Sequence, residues 1–153
     1  MEKINSGEYF TYLKTEIINK GEVIEFQFKS KNNSLLAYFK VTIITDTLGG
    51  KSCYINDMTT ANGYYHFTDR IKKFYHENGY NKNSKIKYFG EIALNEVISH
   101  IKNNFDGINI IVIPGLEKNK KNILELVTRT KKRFNHILEV YGPTDNSVCS
   151  IRI

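Results

Sequence analysis

Basic side chains are concentrated in two blocks of the chain, and such blocks attract polyanions. The 153 residues carry 22 Lys and Arg against 16 Asp and Glu, which gives a net charge of +6. The blocks are residues 70–90 and 118–133, whose acidic residues are only Glu77 and Glu125 and whose basic residues are Arg70, Lys72, Lys73, Lys82, Lys85, Lys87, Lys118, Lys120, Lys121, Arg129, Lys131, Lys132 and Arg133. The pattern indicates a phosphate-rich cofactor or nucleic acid as ligand, or else two solvated helix faces. Because Lys far outnumbers Arg, base-specific reading of DNA is the less favoured ligand chemistry.

The cysteines and histidines do not form a pattern typical of a disulfide or a metal site. Cys53 and Cys149 each lie within an alternating apolar segment, where a free thiol usually acts as a small core residue. The histidines lack the spacing of metal ligands; they are His66, His76, His100 and His136. We therefore expect two buried thiols and no metal.

The hydrophobic pattern argues against a membrane protein. The longest apolar run, residues 108–113, is interrupted by Asn109 and is far too short to span a bilayer. The N-terminus has no basic region followed by an apolar one, as a signal peptide would have. A cytoplasmic protein without membrane contact is therefore expected.

The first part of the chain predicts one helix followed by three strands. Asn5 and Glu8 resemble a helix-capping pair, and apolar residues then recur at helical spacing up to Gly21, which predicts a helix over residues 6–19. Alternating apolar residues predict strands over residues 24–28, 35–45 and 52–58. Turn residues separate these strands, so an antiparallel meander is expected.

The remainder of the chain predicts helices that alternate with strands. Helices are predicted over residues 63–77, from Gly90 to about residue 104, and over residues 119–133. Strands are predicted over residues 108–113, 136–141 and 147–153. The order predicts a single α/β domain over residues 1–153, built on a mixed (α+β) sheet. Its N-terminal strands are antiparallel, its central pair is parallel, helices cover both faces, and the last two strands form a hairpin.

This order of elements resembles the GNAT acyltransferase fold over residues 22–153. The closest local match is residues 85–98, which are similar to the family segment in which a Gln or Arg, two variable residues, Gly, one residue, and Gly or Ala open a helix. A second match is the strand that ends at Pro114 and the helix after it. Asn119 and Asn122 lie there, where an Asn of the family often contacts the pantetheine arm of the cofactor.

The resemblance implies acetyl-CoA or another acyl-CoA as cofactor, bound where a helix begins near Gly90. The first turn of a helix exposes unpaired backbone N–H groups and a partial positive charge, so it can hold a pyrophosphate, and a glycine permits close approach. A glycine that only begins the helix gives the same pattern. The cofactor-binding residues implied are Met58, Thr59, Lys85, Lys87, Tyr88, Phe89, Gly90, Glu91, Asn119 and Asn122.

The chain departs from the family pattern at three places. Lys85 replaces the Gln or Arg, and Tyr88 stands where the family usually has its first Gly. A helical insertion rich in aromatic residues, at about residues 61–84, occupies a position where the family often has only a short loop. A tyrosine at position 88 is expected to obstruct the phosphate loop or to shift the cofactor.

Acyl transfer to an amine needs a base for the amine proton and an acid for the departing thiolate. Asp57, near the end of a predicted strand, is the candidate base, and Tyr141 and Tyr88 are candidate acids. Each has an alternative role, since Asp57 also fits the cap of a turn and the tyrosines also fit packed aromatic residues.

Three functions are compatible with these residues. The first is an acyl-CoA-dependent N-acyltransferase, for instance an N-acetyltransferase, with a small-molecule or protein amine as acceptor. The second is a catalytically inactive GNAT-like binding module that acts through a protein partner at residues 61–84. The third and least favoured is a basic nucleic-acid-binding protein. A homodimer is left open by the sequence.

Overall fold

The computed structural model describes residues 1–114, 120–134, 139–141 and 149–153. The described residues form eight strands: β1 (Glu2–Asn5), β2 (Tyr9–Ile18), β3 (Gly21–Ser30), β4 (Leu35–Thr45), β5 (Lys51–Thr60), β6 (Ile110–Ile113), β7 (Glu139–Tyr141) and β8 (Cys149–Arg152). They also form a 3₁₀ helix (Ala61–His66) and three α-helices: α1 (Asp69–Glu77), α2 (Phe89–Asn104) and α3 (Lys120–Phe134). Within these described ranges, no helix is long and apolar enough to cross a membrane.

All of these strands belong to one mixed sheet, in the order β1-β2-β3-β4-β5-β6-β8-β7. Strands β1 to β5 form an antiparallel meander, because each pairs with the next. Strand β5 then pairs in parallel with β6, across the helices that connect them. Strand β8 is antiparallel to both β6 and β7. The predicted mixed sheet, with its antiparallel N-terminal strands, parallel pair and final antiparallel strands, is confirmed.

The helix predicted over residues 6–19 is wrong, since these residues lie largely in β2. Strand β2 pairs with β3 along its whole length, and Gly21, the expected helix end, is the first residue of β3. Asn5 caps no helix, because its side-chain oxygen accepts a hydrogen bond from the backbone N–H of Gly7 at 3.0 Å in the β1–β2 turn. Ten consecutive cross-strand pairs satisfy the backbone of β2 and outweigh its local helical spacing.

The helix predicted over residues 63–77 is confirmed only in part, because it divides into two. The 3₁₀ helix ends at His66, and Phe67 has an extended backbone with φ −73° and ψ 148°. Thr68 then caps α1, since its hydroxyl accepts a hydrogen bond from the backbone N–H of Ile71 at 3.5 Å. An N-cap threonine favours a fresh helix start over continuation of the preceding turn.

Helices lie on both faces of the sheet, as predicted. Alternate residues of β2 to β5 are buried on the face that packs against α2, where Phe28 contacts Phe89 with ring centroids 5.7 Å apart. The opposite face meets α1 at one end, where the rings of Tyr38 and Phe74 lie 4.8 Å apart. The larger of the two cores is therefore the one between the sheet and α2.

Cys53 and Cys149 are buried free thiols on the strands, as the apolar alternation predicts. Burial raises the pKa of Cys53 to about 12 and that of Cys149 to about 11. Because the thiolate is the reactive form, neither side chain is suited to act as a nucleophile at neutral pH.

Gly21 lies where β3 begins beside the end of β4, and there is no room for a side chain. A Cβ at this position would lie 2.0 Å from the backbone oxygen of Ile43. Because a carbonyl within a paired strand cannot move alone, we expect Gly21→Ala to lower the free energy of unfolding by about 2 kcal/mol in urea denaturation. Gly63→Ala is the control, since a Cβ there meets only the Phe67 ring at 3.5 Å. Equal losses in the two variants would contradict this explanation.

Candidate cofactor-binding site

The first turn of α2 is where the sequence places the phosphate site. The first hydrogen bond of this helix runs from the N–H of Ile92 to the carbonyl oxygen of Tyr88 at 3.2 Å. The N–H groups of Phe89, Gly90 and Glu91 precede it and have no acceptor within the helix. These groups and the helix dipole make this end of α2 attractive to an anion.

Tyr88 precedes the helix in a left-handed backbone conformation, with φ 60° and ψ 27°. This conformation is uncommon for residues other than glycine and costs about 1 kcal/mol. Two cations hold the ring: the guanidinium carbon of Arg133 lies 3.7 Å from the ring centroid, and the Lys87 ammonium lies 4.9 Å from it. The ring of Tyr88 therefore links α3 to the start of α2, and it holds the positive charges of Lys87 and Arg133 close to that helix start.

Glu91 occupies the first turn itself and is only 5% exposed. The Arg129 Nε donates a hydrogen bond to its carboxylate at 3.0 Å, and the same arginine lies 4.0 Å from Glu125 on α3. A carboxylate near a helix N-terminus is favourable, and the arginine compensates its burial. An anionic ligand at this turn would have to bind beside the carboxylate of Glu91.

Gly90 allows α2, α3 and β5 to approach one another closely. A Cβ at Gly90 would lie 3.0 Å from a methyl carbon of Leu126 and 3.5 Å from that of Thr60. Leu126 and Thr60 thus occupy two sides of the space that a side chain at position 90 would need. The backbone N–H of Gly90 keeps its place in the first turn, so the glycine serves packing whether or not it also contacts a ligand.

Strand β5 extends past its parallel partner next to this turn. Its described pairs with β6 are Cys53 with Ile111 and Tyr54 with Val112, whereas β5 continues to Thr60. Strand β5 therefore extends beyond the described end of β6 at Ile113, and Gly90 lies beside Thr60, the last residue of β5. The carboxyl end of a parallel strand beside a helix N-terminus is a place where α/β proteins bind ligands.

The predicted site residues on β5 divide between the two faces of the sheet. Met58 is half-buried against the core on the α2 face. Thr59 points the other way, because its hydroxyl lies 2.8 Å from that of Tyr75 on α1. Asp57 is exposed and pairs across the strands with Lys40, also on the face away from α2. The candidate base is thus separated from the first turn of α2 by the sheet.

The other predicted residues are placed as follows. Lys85 and Lys87 are exposed in the segment before α2, and Phe89 is buried with its ring against the core. Asn122 is exposed on α3. The candidate acid Tyr141 ends β7, but its side chain lies outside the described residues, as does Asn119 entirely.

Arg129 and Arg133 are the residues that the site prediction missed. They were part of a basic block, and their separation by four residues places both on one face of a predicted helix. That spacing was a usable signal for a shared face, although only the packing of α3 on α2 shows what this face contacts.

Comparisons with known proteins add no assignment. No family model matches this chain, and no curated protein matches its sequence. Among the described residues, no group of three or more His, Cys, Asp or Glu side chains could hold a metal ion. The candidate site therefore consists of the first turn of α2, the basic side chains around it and the adjoining end of β5.

Proposed function

We propose that this chain binds an acyl-CoA through the first turn of α2 and transfers the acyl group to an amine. The observation that carries the proposal is the cationic surround of this turn, formed by Lys87, Arg129 and Arg133 beside the carboxyl end of β5. Unpaired helical N–H groups and nearby guanidinium groups form the combination that binds phosphate oxygens.

The connectivity of the sheet supports the GNAT-like part of the proposal. An antiparallel meander leads through α2 into a parallel strand, and α3 and an antiparallel strand pair complete the order, as the resemblance implies. A further point in favour is the position of the first turn of α2 at the carboxyl end of β5, since ligands of open α/β sheets bind outside this end of the strands.

The proposed reaction needs only proton transfers from the protein. The amine nitrogen attacks the thioester carbonyl carbon, a C–N bond forms, and the C–S bond breaks. The amine gives up a proton to a base, and the thiolate receives one from an acid, so that an amide and free CoA result. Asp57 can act as the base if the amine approaches from the face that carries α1, and Tyr141 is the proposed acid.

Ligand binding is the first test. We expect CoA and acetyl-CoA, at a hundredfold excess over Kd, to raise the melting temperature by about 5–10 °C, because a ligand of the native state stabilises it. Pantetheine, which lacks the phosphates, is expected to give no rise at equal concentration. Arg133→Gln should weaken CoA binding at least tenfold, since it removes a charge-assisted contact.

Lys73→Gln is the matched control for Arg133→Gln. Lys73 lies on α1 with its side chain 78% exposed and pairs only loosely with Glu77, at 3.9 Å. Both variants remove one positive charge, so equal losses of CoA affinity would indicate general attraction to the basic chain and would overturn the proposed site. The absence of any CoA-dependent rise in the folded protein would overturn the function.

A binding module without catalysis is the second candidate, and the geometry at Tyr88 favours it. The aromatic ring and its two cations stand at the start of α2, and Leu126 closes one side of Gly90. Both features reduce the room for a phosphate chain. The test incubates the chain with acetyl-CoA and a mixture of amine acceptors, and a thiol-specific reagent detects any free CoA that is formed. Binding of acetyl-CoA without formation of free CoA would support this candidate over the enzyme.

A further inference from the structure

A small cavity lies under the β1–β2 hairpin, away from the first turn of α2. Its volume is about 160 Å³, and its walls include Leu13 and Phe26 of the sheet and His100 of α2. Ile4 is 40% exposed and Ser6 is exposed, so the cavity opens beside the hairpin. An opening of this size has room for a ligand of a few non-hydrogen atoms.

The polar wall of the cavity is the carboxylate of Glu96, which three hydroxyl groups hold in place. Tyr9 donates a short hydrogen bond to Oε1, Ser6 donates to the same oxygen at 3.5 Å, and Thr11 donates to Oε2 at 3.1 Å. Burial, and then Glu96, raises the pKa of Tyr9, so its hydroxyl stays protonated and remains a donor. A carboxylate can accept about four hydrogen bonds, and Oε2 here keeps capacity for another.

Within the described part of the chain, no cation lies at ion-pair distance from Glu96. The described ion pairs join other residues, and the nearby Lys3 ammonium lies 4.2 Å from the Phe10 ring centroid, on the other face of the sheet. Burial lowers the pKa of His100, so this ring contributes no positive charge at neutral pH. The cavity therefore combines largely apolar walls with one carboxylate.

We propose that this cavity binds a small primary ammonium group carrying a short apolar tail. The ammonium would donate a hydrogen bond to the free position of Glu96 Oε2, where its charge balances the carboxylate. The hydroxyl of Ser99, which also lines the cavity, offers a second acceptor. Leu13 and Phe26 would cover the tail, and the Phe26 ring adds attraction for a cation.

This site is separate from the proposed acyl-CoA site. Glu96 follows Gly90 by six residues on α2, which places it about 9 Å further along the helix. The hydroxyl groups that hold it belong to Ser6, Tyr9 and Thr11, none of which is among the residues proposed to contact CoA. The two proposals can therefore fail independently.

The test is titration calorimetry of the full chain with n-butylammonium chloride, with n-butanol as its neutral counterpart and with sodium chloride at matched ionic strength. We expect saturable binding of butylammonium with a Kd of about 1–10 mM, and none of butanol or sodium. Glu96→Gln should weaken binding at least tenfold, because it removes the charge but keeps the shape. Glu16→Gln, at an exposed position of β2, should leave the Kd unchanged.

A second variant keeps the test decisive if Glu96→Gln does not fold. Ser99→Leu fills the cavity from α2 without altering any charge, and it should abolish butylammonium binding. Three results would overturn the proposal: no saturable binding to the folded wild-type chain up to about 50 mM (about fivefold above the upper end of the expected Kd range), equal affinity for butanol, or equal losses in the Glu96 and Glu16 variants.

Discussion

Replacement of Phe28 with alanine is expected to lower the free energy of unfolding by about 4 kcal/mol, enough to leave a typical domain marginal. Phe28 is fully buried on β3, with ring centroids 5.8 Å from Phe39 and 5.7 Å from Phe89. Truncation removes apolar contact with both neighbours and leaves a cavity that the paired strands cannot close by moving. Urea denaturation followed by far-UV circular dichroism measures the loss.

Phe10→Ala is the matched control, since it truncates the same side chain on the neighbouring strand. Phe10 is half-exposed on the opposite face of the sheet, where the ammonium groups of Lys3 and Lys31 lie 4.2 and 5.5 Å from its ring centroid. We expect this variant to lose no more than about 1 kcal/mol. If the free energy of unfolding falls by similar amounts in the two variants, the main core does not lie between the sheet and α2.

The same contact explains how the core positions the candidate site. Phe89 is the first residue of α2, and its ring also meets Tyr9 edge-on with centroids 5.0 Å apart. Tyr9 and Phe28 of the sheet thus hold Phe89, and with it the first turn of α2, in position. If α2 binds CoA as proposed, Phe28→Ala should weaken that binding even in the fraction that remains folded, because the N–H groups proposed to bind the phosphates lose their anchor.

The strands from β3 onward could be predicted because period and turn residues agree there. Phe26 and Phe28 of β3, and Phe39 and Val41 of β4, alternate with polar residues and have no competing helical pattern. Where one face is buried and the other is polar, a period of two specifies the strand.

Residues 9–18 could not be assigned in this way, because two periods fit them. Tyr9 and Leu13 are four apart, as on one helix face, and they are also alternate residues of a strand. The residue between them on the buried face is Thr11, which is 3% exposed but polar, so the alternation is hidden in the sequence. What stabilises this Thr is its bond to Glu96, a residue distant in the chain and therefore out of reach of local patterns.

In the candidate site, too, some features can be predicted from local residues and others cannot. The helix start at Gly90 and the nearby lysines follow from local residues, and α2 does begin there, at Phe89. The contacts of Glu91 with Arg129 and of Tyr88 with Arg133 join residues that are far apart in sequence. They depend on how α3 packs against α2, for which a single sequence carries no direct signal.

Replacement of Arg129 with alanine is expected to destabilise the fold by about 3 kcal/mol, because it leaves Glu91 buried without a partner. Among the described residues, Arg129 is the only cation at ion-pair distance from Glu91, whose side chain is 7% exposed. The Arg129 side chain is itself 56% exposed, which places the loss at the low end for a buried pair. Thermal and urea unfolding at pH 7 measure it.

A double-mutant cycle separates this effect from the loss of the arginine's other contacts. In Glu91→Gln the buried charge is gone, so adding Arg129→Ala should then cost less than about half of its effect in the wild-type chain. Arg133→Ala is the control, because Arg133 stacks on the half-exposed Tyr88 and should contribute about 1 kcal/mol or less. Additive losses in the cycle would contradict the ion pair as the origin of the destabilisation and would assign it to the packing of the Arg129 side chain.

An ion pair confirmed by the cycle would mean that part of the positive charge at the first turn of α2 is already neutralised. A phosphate ligand would then depend chiefly on Lys87 and Arg133.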